Sequence, residues 1–384
     1  MDRGVFLRAW RTDAGLSMER VAQLARLSTA HLVGIEEGRH DAGFEELERL
    51  ASVLGLRPEE TFEEDITDSA LLDGIRILMK SAVAYQPTEG VRLRILEAAA
   101  AARDLLDLLA DTAPDKPGFQ RFSFQPVSHD LPWKDGDRLA AKVRRTLGLD
   151  GPVASMRDLV RETLGIPLVG ADLTELGPDG FSYYAPGRRA VIVLNLAGKN
   201  SDPLVRRFSL AHELGHVLFD RPVAGGYGVA CKVDPTRGLD VESRANAFAM
   251  RLLLPYAPVR KLGEAVLEPS KFRALMERWG VHYSALHLYV EKLLKLSRED
   301  AEARLPNVDR SGPNRWAGAE ELPEERRGLQ SVPLPRRGEL ARRVLEAVRS
   351  DRLSRARARE LLGVGADVSV ETLAAEADVP LHGE

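Results

Sequence analysis

The chain has 384 residues, a length that predicts two or three domains, because one domain usually has roughly 100 to 200 residues. Hydrophobic residues make up 44% and charged residues 29%, no apolar run approaches the ~18 residues of a membrane span, and the first residues lack a signal-peptide core, so we expect a cytoplasmic protein with no membrane partner. The net charge of −4 excludes a general attraction to nucleic acid, and the single cysteine, Cys231, excludes intrachain disulfides and metal sites built from several cysteines.

Residues 1–65 carry a pattern of short amphipathic helices. We predict five helices between residues 3 and 62, with Ser17 as one N-cap, Ser28 or Thr29 as the next, and Gly38 at a helix end. The stretch A-x-L-A-x-L-S-x-x-x-L-x-x-I-E-x-G, followed by FEELERLASVLGL, resembles the XRE (lambda-repressor-like) helix-turn-helix family. The resemblance implies a lambda-repressor-like helical domain whose partner is double-stranded DNA.

The DNA contacts implied by this resemblance lie at the start of the recognition helix and shortly after it: Ser28, Thr29, Ala30, His31, Val33 and Arg39. The helix start holds no Arg, Lys, Asn or Gln, the side chains that read a base through paired hydrogen bonds. Residues 1–63 carry eight Arg against twelve Asp or Glu, so phosphate binding requires Arg3, Arg8, Arg11 and Arg39 to share one face. DNA binding and a protein-interaction role therefore stay open as alternatives.

Residues 66–111 predict a helical hairpin, and residues 112–136 a linker. Apolar residues recur at helical spacing on both sides of a break at residues 85–90, among them Leu71, Ile75, Leu93 and Leu96. Such helices need a partner surface, so the hairpin is a spacer, an element that forms a homodimer, or a pair that packs on a neighbouring domain. Four prolines between residues 112 and 136 indicate the linker.

A domain with both helices and strands is predicted for residues 137–298. Two helices, over residues 138–147 and 155–164, and a strand over residues 166–169 precede the segment FSYYAPGRRAVIVLN. In that segment Pro186-Gly187 separates two strand-like runs, which predicts an antiparallel hairpin beside the helix that follows. The edge of this hairpin either holds an extended peptide substrate by strand addition or has only a structural role.

The sequence RRFSLAHELGHVLF places His212, Glu213 and His216 on one apolar helix. At about 100° per residue, histidines four positions apart project from nearly the same face and can bind one metal ion. Glu213 directly follows the first histidine, so its carboxylate can lean over the open side of the metal and accept a proton from water. This pattern is typical of a zinc hydrolase.

The next apolar helix, VESRANAFAMRLLLP, offers a third ligand. Zinc in hydrolases commonly binds two histidines and one glutamate, and Glu242 stands in the first turn of this helix. Ala245 and Ala249 are small enough to let the two helices approach closely. Asn246, four residues after Glu242, either accepts a hydrogen bond from the far nitrogen of a ligand histidine or is an ordinary packing amide.

The motifs R-F-S-L-A-H-E-L-G-H and E-x-x-A-N-x-F-A-x-x-L-L-L-P resemble the ImmA/IrrE family of zinc metallopeptidases, and the resemblance runs from about residue 137 to 297. It implies a minimal gluzincin-like domain with a small antiparallel sheet, Zn²⁺ held by His212, His216 and Glu242, and Glu213 as general base. It also implies cleavage of a protein substrate, in this family often a helix-turn-helix repressor. The chain departs from the family at Val281-His282, where Val-Ser is common.

Two features of the cleft stay open at the level of sequence. A hydrogen-bond donor for the developing oxyanion is needed, and the candidates are Tyr183, Tyr184, Tyr227, His282 and His287. The glycine-rich stretch over residues 221–238 is either a lid over the cleft or an ordinary connection.

Residues 299–338 predict a second linker, since residues 301–338 hold five prolines among many charges, and residues 339–384 predict a small helical tail. The expected fold class is α+β and mostly helical. The expected function is a regulatory zinc-dependent endopeptidase that makes limited cuts in a repressor or antitoxin-like partner and so controls transcription, as in a stress response. The alternative is a DNA-binding regulator whose peptidase-like domain is a sensor or interaction module that does not cleave.

Overall fold

The computed structural model of the chain describes residues 3–54, 56, 76–77, 88–110, 118–122, 131–185, 189–219, 227–230, 239–308, 316–322 and 328–381. The N-terminal unit has four described helices: α1 (Arg3–Asp13), α2 (Met18–Leu24), α3 (Thr29–Glu36) and α4 (Phe44–Leu54). The fifth predicted helix lies outside the described residues. Ser17 and Ser28 cap α2 and α3 through side-chain oxygens that accept backbone N–H groups, as their positions predict.

The stretch predicted as a helical hairpin contains β1 (Arg76–Ile77) and α5 (Glu89–Ala110). The second predicted helix is present as α5, but Arg76–Ile77 is a strand where a helix was predicted. These two residues pair with Tyr227 and Gly228, far along the chain. Pairing with a distant strand decides the conformation here because a strand takes its hydrogen bonds from its neighbour, not from its own sequence spacing.

The next helix, α6, begins at Pro132, within the predicted linker, because proline suits the first turn of a helix. The elements that follow are α7 (Met156–Asp158), β2 (Leu168–Ala171), β3 (Gly180–Ala185), β4 (Arg189–Asn195), α8 (Pro203–Phe219), β5 (Tyr227–Ala230), α9 (Leu239–Leu253), α10 (Tyr256–Leu262), α11 (Pro269–Trp279) and α12 (Tyr283–Leu294). α6 itself spans Pro132–Thr146 and packs along α9.

The strands form one sheet in the order β1-β5-β3-β4-β2. β3 pairs antiparallel with β4 and β5, whereas β2 pairs parallel with β4, and β1 parallel with β5. The sheet predicted as antiparallel is therefore mixed. Alternate residues of each strand point to opposite faces of the sheet, and both faces are buried. Val191 and Val193 belong to one hydrophobic core, and Ile192 and Leu194 belong to the other.

Helices cover both faces of the sheet. α8, α9 and the helices that follow them share a core with one face, and α5 with the C-terminal helices shares a core with the other. The C-terminal helices are α15 (Gly338–Arg349), α16 (Arg355–Leu362) and α17 (Val370–Glu376), preceded by α13 (Arg298–Arg304) and α14 (Ala317–Glu320). The N-terminal unit, of which four helices are described, contributes to the core that contains Val191 and Val193 and contacts α5.

Residues 316–322 correct the prediction of a linker over residues 299–338. Trp316, Glu320 and Leu322 are all buried, and Leu322 belongs to the core that contains Ile192 and Leu194. This stretch is short, and its side chains contact residues that are distant in sequence, such as Arg207 and Glu277, so a local pattern does not detect its burial.

The α+β, mostly helical fold class is confirmed, with a helix-turn-helix unit at the N-terminus and a helical C-terminal segment. The domain boundaries themselves stay predictions. Within the described part of the chain, no helix is both long and apolar enough to cross a membrane.

Candidate metal centre

Helix α8 carries the two histidines of the motif in a buried environment. Asp202 starts the helix by accepting the N–H of Leu204, and Asn200 accepts a hydrogen bond from the hydroxyl of Ser209. His212 and His216 follow one turn apart, with ring centroids 4.7 Å apart. The helical spacing thus brings both imidazoles to the same face, as predicted.

Helix α9 brings Glu242 to these histidines because glycine and alanine let the helices approach. A Cβ atom on Gly215, between the two histidines, would lie 3.1 Å from Cδ1 of Phe248 and 3.2 Å from Cα of Ala245. Both distances are tighter than ordinary van der Waals contact, so Gly215 matches its neighbours on α9. The predicted close approach of the two helices is present.

The three predicted metal ligands form one cluster. His212 Nε2 lies 3.2 Å from Glu242 Oε2, His216 Nε2 lies 3.3 Å from Glu242 Oε1, and the two Nε2 atoms are 3.0 Å apart. All three ligand atoms lie within 4.8 Å of one another, and this is the one such group among the described residues.

Asn246 sets the orientation of the first histidine. Its Oδ1 lies 3.0 Å from His212 Nδ1. An amide oxygen can only accept, so Nδ1 carries the proton, and Nε2 of the neutral ring has a lone pair that faces the cluster. The geometry therefore has the hydrogen bond proposed for Asn246, although the side chain lies on an exposed part of α9.

The cluster has the chemistry of a cation site. The His212 lone pair faces a carboxylate oxygen, and two such acceptors are stable together only with a proton or a metal ion between them. Glu242 Oε1 is buried without a hydrogen-bond partner, which a metal ion would supply. Two imidazoles and one carboxylate match the ligand preference of zinc.

The side chain of Glu213, a residue of α8, points toward β3. Its side chain is 1% exposed, and Oε2 accepts a hydrogen bond of 3.0 Å from the hydroxyl of Ser182. On the same strand, a Cβ atom on Gly180 would lie 3.3 Å from Glu213 Oε1. The carboxylate is thus held between α8 and β3.

The comparisons with known proteins agree with both predicted resemblances. A family model described as a helix-turn-helix domain matches residues 4–64, and one described as an IrrE N-terminal-like domain matches residues 161–289. The chain joins a helix-turn-helix domain to an IrrE-like domain. The ImmA/IrrE resemblance is thereby confirmed. A search among curated protein sequences gives no match.

Two parts of the chain outside residues 161–289 pack against the helices that carry the cluster. α6 packs along α9, and a Cβ atom on Gly136 would lie 2.2 Å from the carbonyl oxygen of Arg244, two residues after Glu242. Residues 316–322 pack against α8 through Glu320. The sequence motifs did not indicate Ser182 or Glu320, because their partners are 31 and 113 positions away.

The sheet edge beside α8 is occupied by the chain itself. β5 comes from the connection between α8 and α9 and pairs antiparallel with β3, with Ser182 opposite Val229. The predicted antiparallel hairpin is present as β3 and β4. β3 is not a free edge of the sheet, however, because β5 pairs with its other side. The remaining residues of the predicted lid lie outside the described residues.

The five candidates for the oxyanion donor occupy different environments. Tyr183 faces the core on the far side of the sheet from α8, which removes it from the cleft. Tyr184 is buried on the same side as α8, and the side chain of Tyr227 lies outside the described residues. His282 caps α12 by accepting the N–H of Ala285, and His287 contacts the ring of Tyr283. His282 takes the capping role for which the family commonly has serine.

In the helix-turn-helix domain, several predicted DNA contacts have partners within the chain. Ser28 Oγ accepts the N–H of His31, and His31 Nε2 lies 3.0 Å from Glu46 Oε1. Arg39 pairs with Glu37 on the surface. Thr29 is partly exposed and Ala30 is exposed at the start of α3. These positions stay predicted contacts.

Arg11 does not share the predicted basic face. Its Nε lies 2.7 Å from Glu36 Oε1, and both side chains are mostly buried. The hydrogen bond to Glu36 raises the pKa of Arg11, and the ion pair turns the positive charge of Arg11 toward Glu36 inside the domain. The basic cluster postulated for phosphate binding therefore loses one of its four members.

Proposed function

We propose that this chain is a regulatory zinc-dependent endopeptidase that makes limited cuts in a protein partner and thereby controls transcription. The observation that carries the proposal is the convergence of His212, His216 and Glu242, with Glu213 held beside them against β3. A helix-turn-helix domain in the same chain as an IrrE-like domain fits a regulatory protein. The class of partner is a helix-turn-helix repressor or antitoxin-like protein, as the family resemblance implies.

Each residue has a distinct role in this proposal. His212, His216 and Glu242 hold zinc, which when bound acts as a Lewis acid and makes water acidic enough to lose a proton near neutral pH. Glu213 accepts that proton and passes it to the amine that leaves. Ser182 holds the Glu213 carboxylate by its hydrogen bond, and Asn246 holds the ring of His212.

The test compares the wild-type chain with Glu213→Gln. The amide keeps the shape of the side chain but cannot accept a proton, so we expect one zinc per chain in both proteins and cleavage only by the wild type. Zinc is measured by mass spectrometry of the metal. Cleavage is measured by labelling new protein N-termini in a soluble extract of the source cells incubated with each protein.

His216→Ala serves as the second arm of this test. It removes one of three ligands, so it should lose both zinc and cleavage, whereas His40→Ala, at a histidine of the N-terminal unit outside the cluster, should lose neither. New N-termini that appear equally with wild type and Glu213→Gln would contradict the proposed mechanism. Stoichiometric zinc in both proteins with no new N-termini would favour the non-cleaving sensor.

A further inference from the structure

Arg207 lies on α8, five residues before the first zinc ligand, and its side chain is 0% exposed. Its guanidinium donates to the carbonyl of Gly280 over 3.1 Å and to the carbonyl of Val153 over 2.7 Å. A third nitrogen forms an ion pair with Glu320, and the ring of Trp316 lies 4.1 Å from the guanidinium carbon. Arg207 therefore joins α8 to three segments that are distant in sequence.

Glu320, the ion-pair partner of Arg207, makes several further contacts. Its side chain is 1% exposed, and its carboxylate also accepts the N–H groups of Met156 and Arg157, over 2.9 and 3.2 Å. Its backbone carbonyl accepts from Arg206, the neighbour of Arg207 on α8. The hydroxyl of Ser155 donates to the carbonyl of Ala319. Residues 316–322 thus link α8 to the start of α7.

Such an ion pair is poor grounds for a claim about stability alone. Removing two charges from water is costly, and apolar residues of similar volume often replace a buried ion pair with equal or better stability. What apolar residues cannot reproduce is direction. The planar guanidinium has donors at fixed angles, and three acceptors on three segments fix both the rotation and the axial position of α8.

The position of α8 matters because zinc ligation tolerates little error. His212 and His216 belong to the same rigid helix as Arg207, and their Nε2 atoms must meet Glu242 on α9 within about 0.5 Å of the productive geometry. The close approach at Gly280 shows how tightly the contact is built, since a Cβ atom there would lie 2.7 Å from Arg207 Nε and from Cε2 of Trp316. Gly280 also has φ +63°, which favours glycine.

We propose that Arg207 and Glu320 are positioning residues for the zinc site, and that residues 316–322 are therefore a functional part of the IrrE-like domain although they lie outside the matched range. The proposal rests on the zinc site of the proposed function. It assigns the pair a role in metal affinity that goes beyond folding.

The experiment compares the full-length wild type with Glu320→Gln and with the double variant Arg207→Met/Glu320→Leu. Thermal unfolding of the metal-free protein reports stability, and competition with a chromophoric chelator at neutral pH reports zinc affinity. Glu320→Gln leaves a buried charge unpaired, so it should lower both quantities. The double variant should regain most of the stability but bind zinc at least about tenfold more weakly than wild type, as lost support of a ligand typically does.

A matched control removes a partly buried ion pair elsewhere. Glu339 pairs with Arg161 over 3.0 Å, and Glu339→Gln should leave zinc affinity at the wild-type value. Wild-type zinc affinity in the double variant would overturn the proposal, because it would reduce the pair to packing. If Glu320→Gln does not fold, the double variant alone decides. Failure of the proposed peptidase is a separate outcome, in which wild-type protein binds zinc without cleaving.

Discussion

The hydrogen bond between Asn246 and His212 predicts a measurable effect on zinc affinity. Asn246→Ala removes the acceptor that keeps the proton on Nδ1, so His212 loses its fixed tautomer and orientation, and zinc affinity should fall about 10-fold to 100-fold. Because Asn246 is exposed, the unfolding temperature of the metal-free protein should barely change. Chelator competition measures the affinity.

Asn246→Asp is the informative companion of that variant. A carboxylate is a stronger acceptor for Nδ1–H, so the Asp variant should bind zinc at least as tightly as wild type. Equal affinities for wild type, Ala and Asp variants would show that Asn246 is only a surface amide. The two variants together separate the acceptor from the bulk of the side chain.

His282, the N-cap residue of α12, makes the stability of the protein depend on pH. Burial lowers the pKa of His282 to about 4, and the nearby charges of Asp202, Lys199 and Asp179 modify this effect. The folded state keeps Nδ1 unprotonated to accept from Ala285, while the unfolded chain binds a proton below about pH 6.5. Stability from this cap is therefore full above pH 6.5 and is lost as pH falls toward 4.

The measurement is the free energy of unfolding of the metal-free protein in urea between pH 7.5 and pH 4.5, for wild type and His282→Ser. Serine caps the helix without titrating, so the variant should lose less stability over this range than wild type. His282→Ala should cost about 1 kcal/mol at pH 7.5. Parallel curves for wild type and His282→Ser would refute the assignment.

The cluster of His212, His216 and Glu242 could be predicted at this scale because the features that indicate it are local. Four positions on a helix fix the relation of His212 to His216, and the first turn of the next helix is a short-range feature as well. Ser182 could not be predicted, since its contact with Glu213 depends on which strand lies over α8. Nor could His282, because a histidine accepts at an N-cap only where its surroundings hold it neutral.

Among the elements, the crossing of α8 and α9 depends on a single glycine. Gly215→Val would force side-chain atoms into Phe248 and Ala245, push the helices apart and move Glu242 away from the histidines. We expect a lower unfolding temperature and at least about tenfold weaker zinc binding. Both are measured as above.

Gly90 provides the matched control for this substitution. It is also a helical glycine, on α5, but a Cβ atom there meets nothing within 4 Å. Gly90→Val should therefore change zinc affinity little, although both substitutions replace a helical glycine by the same β-branched residue. If the two variants weakened zinc binding equally, close packing of α8 on α9 would not be the cause.

The errors of prediction at the level of elements share one physical origin. Arg76–Ile77 follow a helical apolar pattern but form a strand, and residues 316–322 lack any pattern but are buried. In both cases contacts with residues over a hundred positions away decide the structure. Helices such as α8, α9 and α12 were predictable because their hydrogen bonds and their apolar faces both lie within one segment.

In the whole molecule, α5 connects the two functional units. Its alanine-rich middle packs on the sheet opposite α8, and Arg94 pairs with Asp172 after β2 over 2.7 Å. At its other end, Glu89 accepts from both the backbone N–H and the hydroxyl of Ser17, and Arg92 donates to the carbonyl of Gly15. The start of α5 thus covers the turn between α1 and α2.

This contact predicts that α5 weakens DNA binding by the full-length chain. In helix-turn-helix proteins the first helix of the motif crosses the DNA backbone, and here the Glu89 carboxylate stands at the start of that helix, α2. Glu89→Ala removes a negative charge that repels phosphate and releases the Ser17 N–H. We expect affinity for random-sequence duplex DNA to rise about fivefold near 0.1 M salt, or ~1 kcal/mol, the upper range for exposed charges.

Fluorescence anisotropy of labelled duplex measures this affinity, and the gain should shrink as salt rises because exposed charges are screened. Glu302→Ala removes the same charge from α13, where Glu302 pairs with Arg298 on the surface away from the motif. An equal gain in that control would reduce the effect to net charge. No gain in Glu89→Ala at any salt concentration would mean that DNA does not approach α2, and would favour the protein-interaction role of the N-terminal domain.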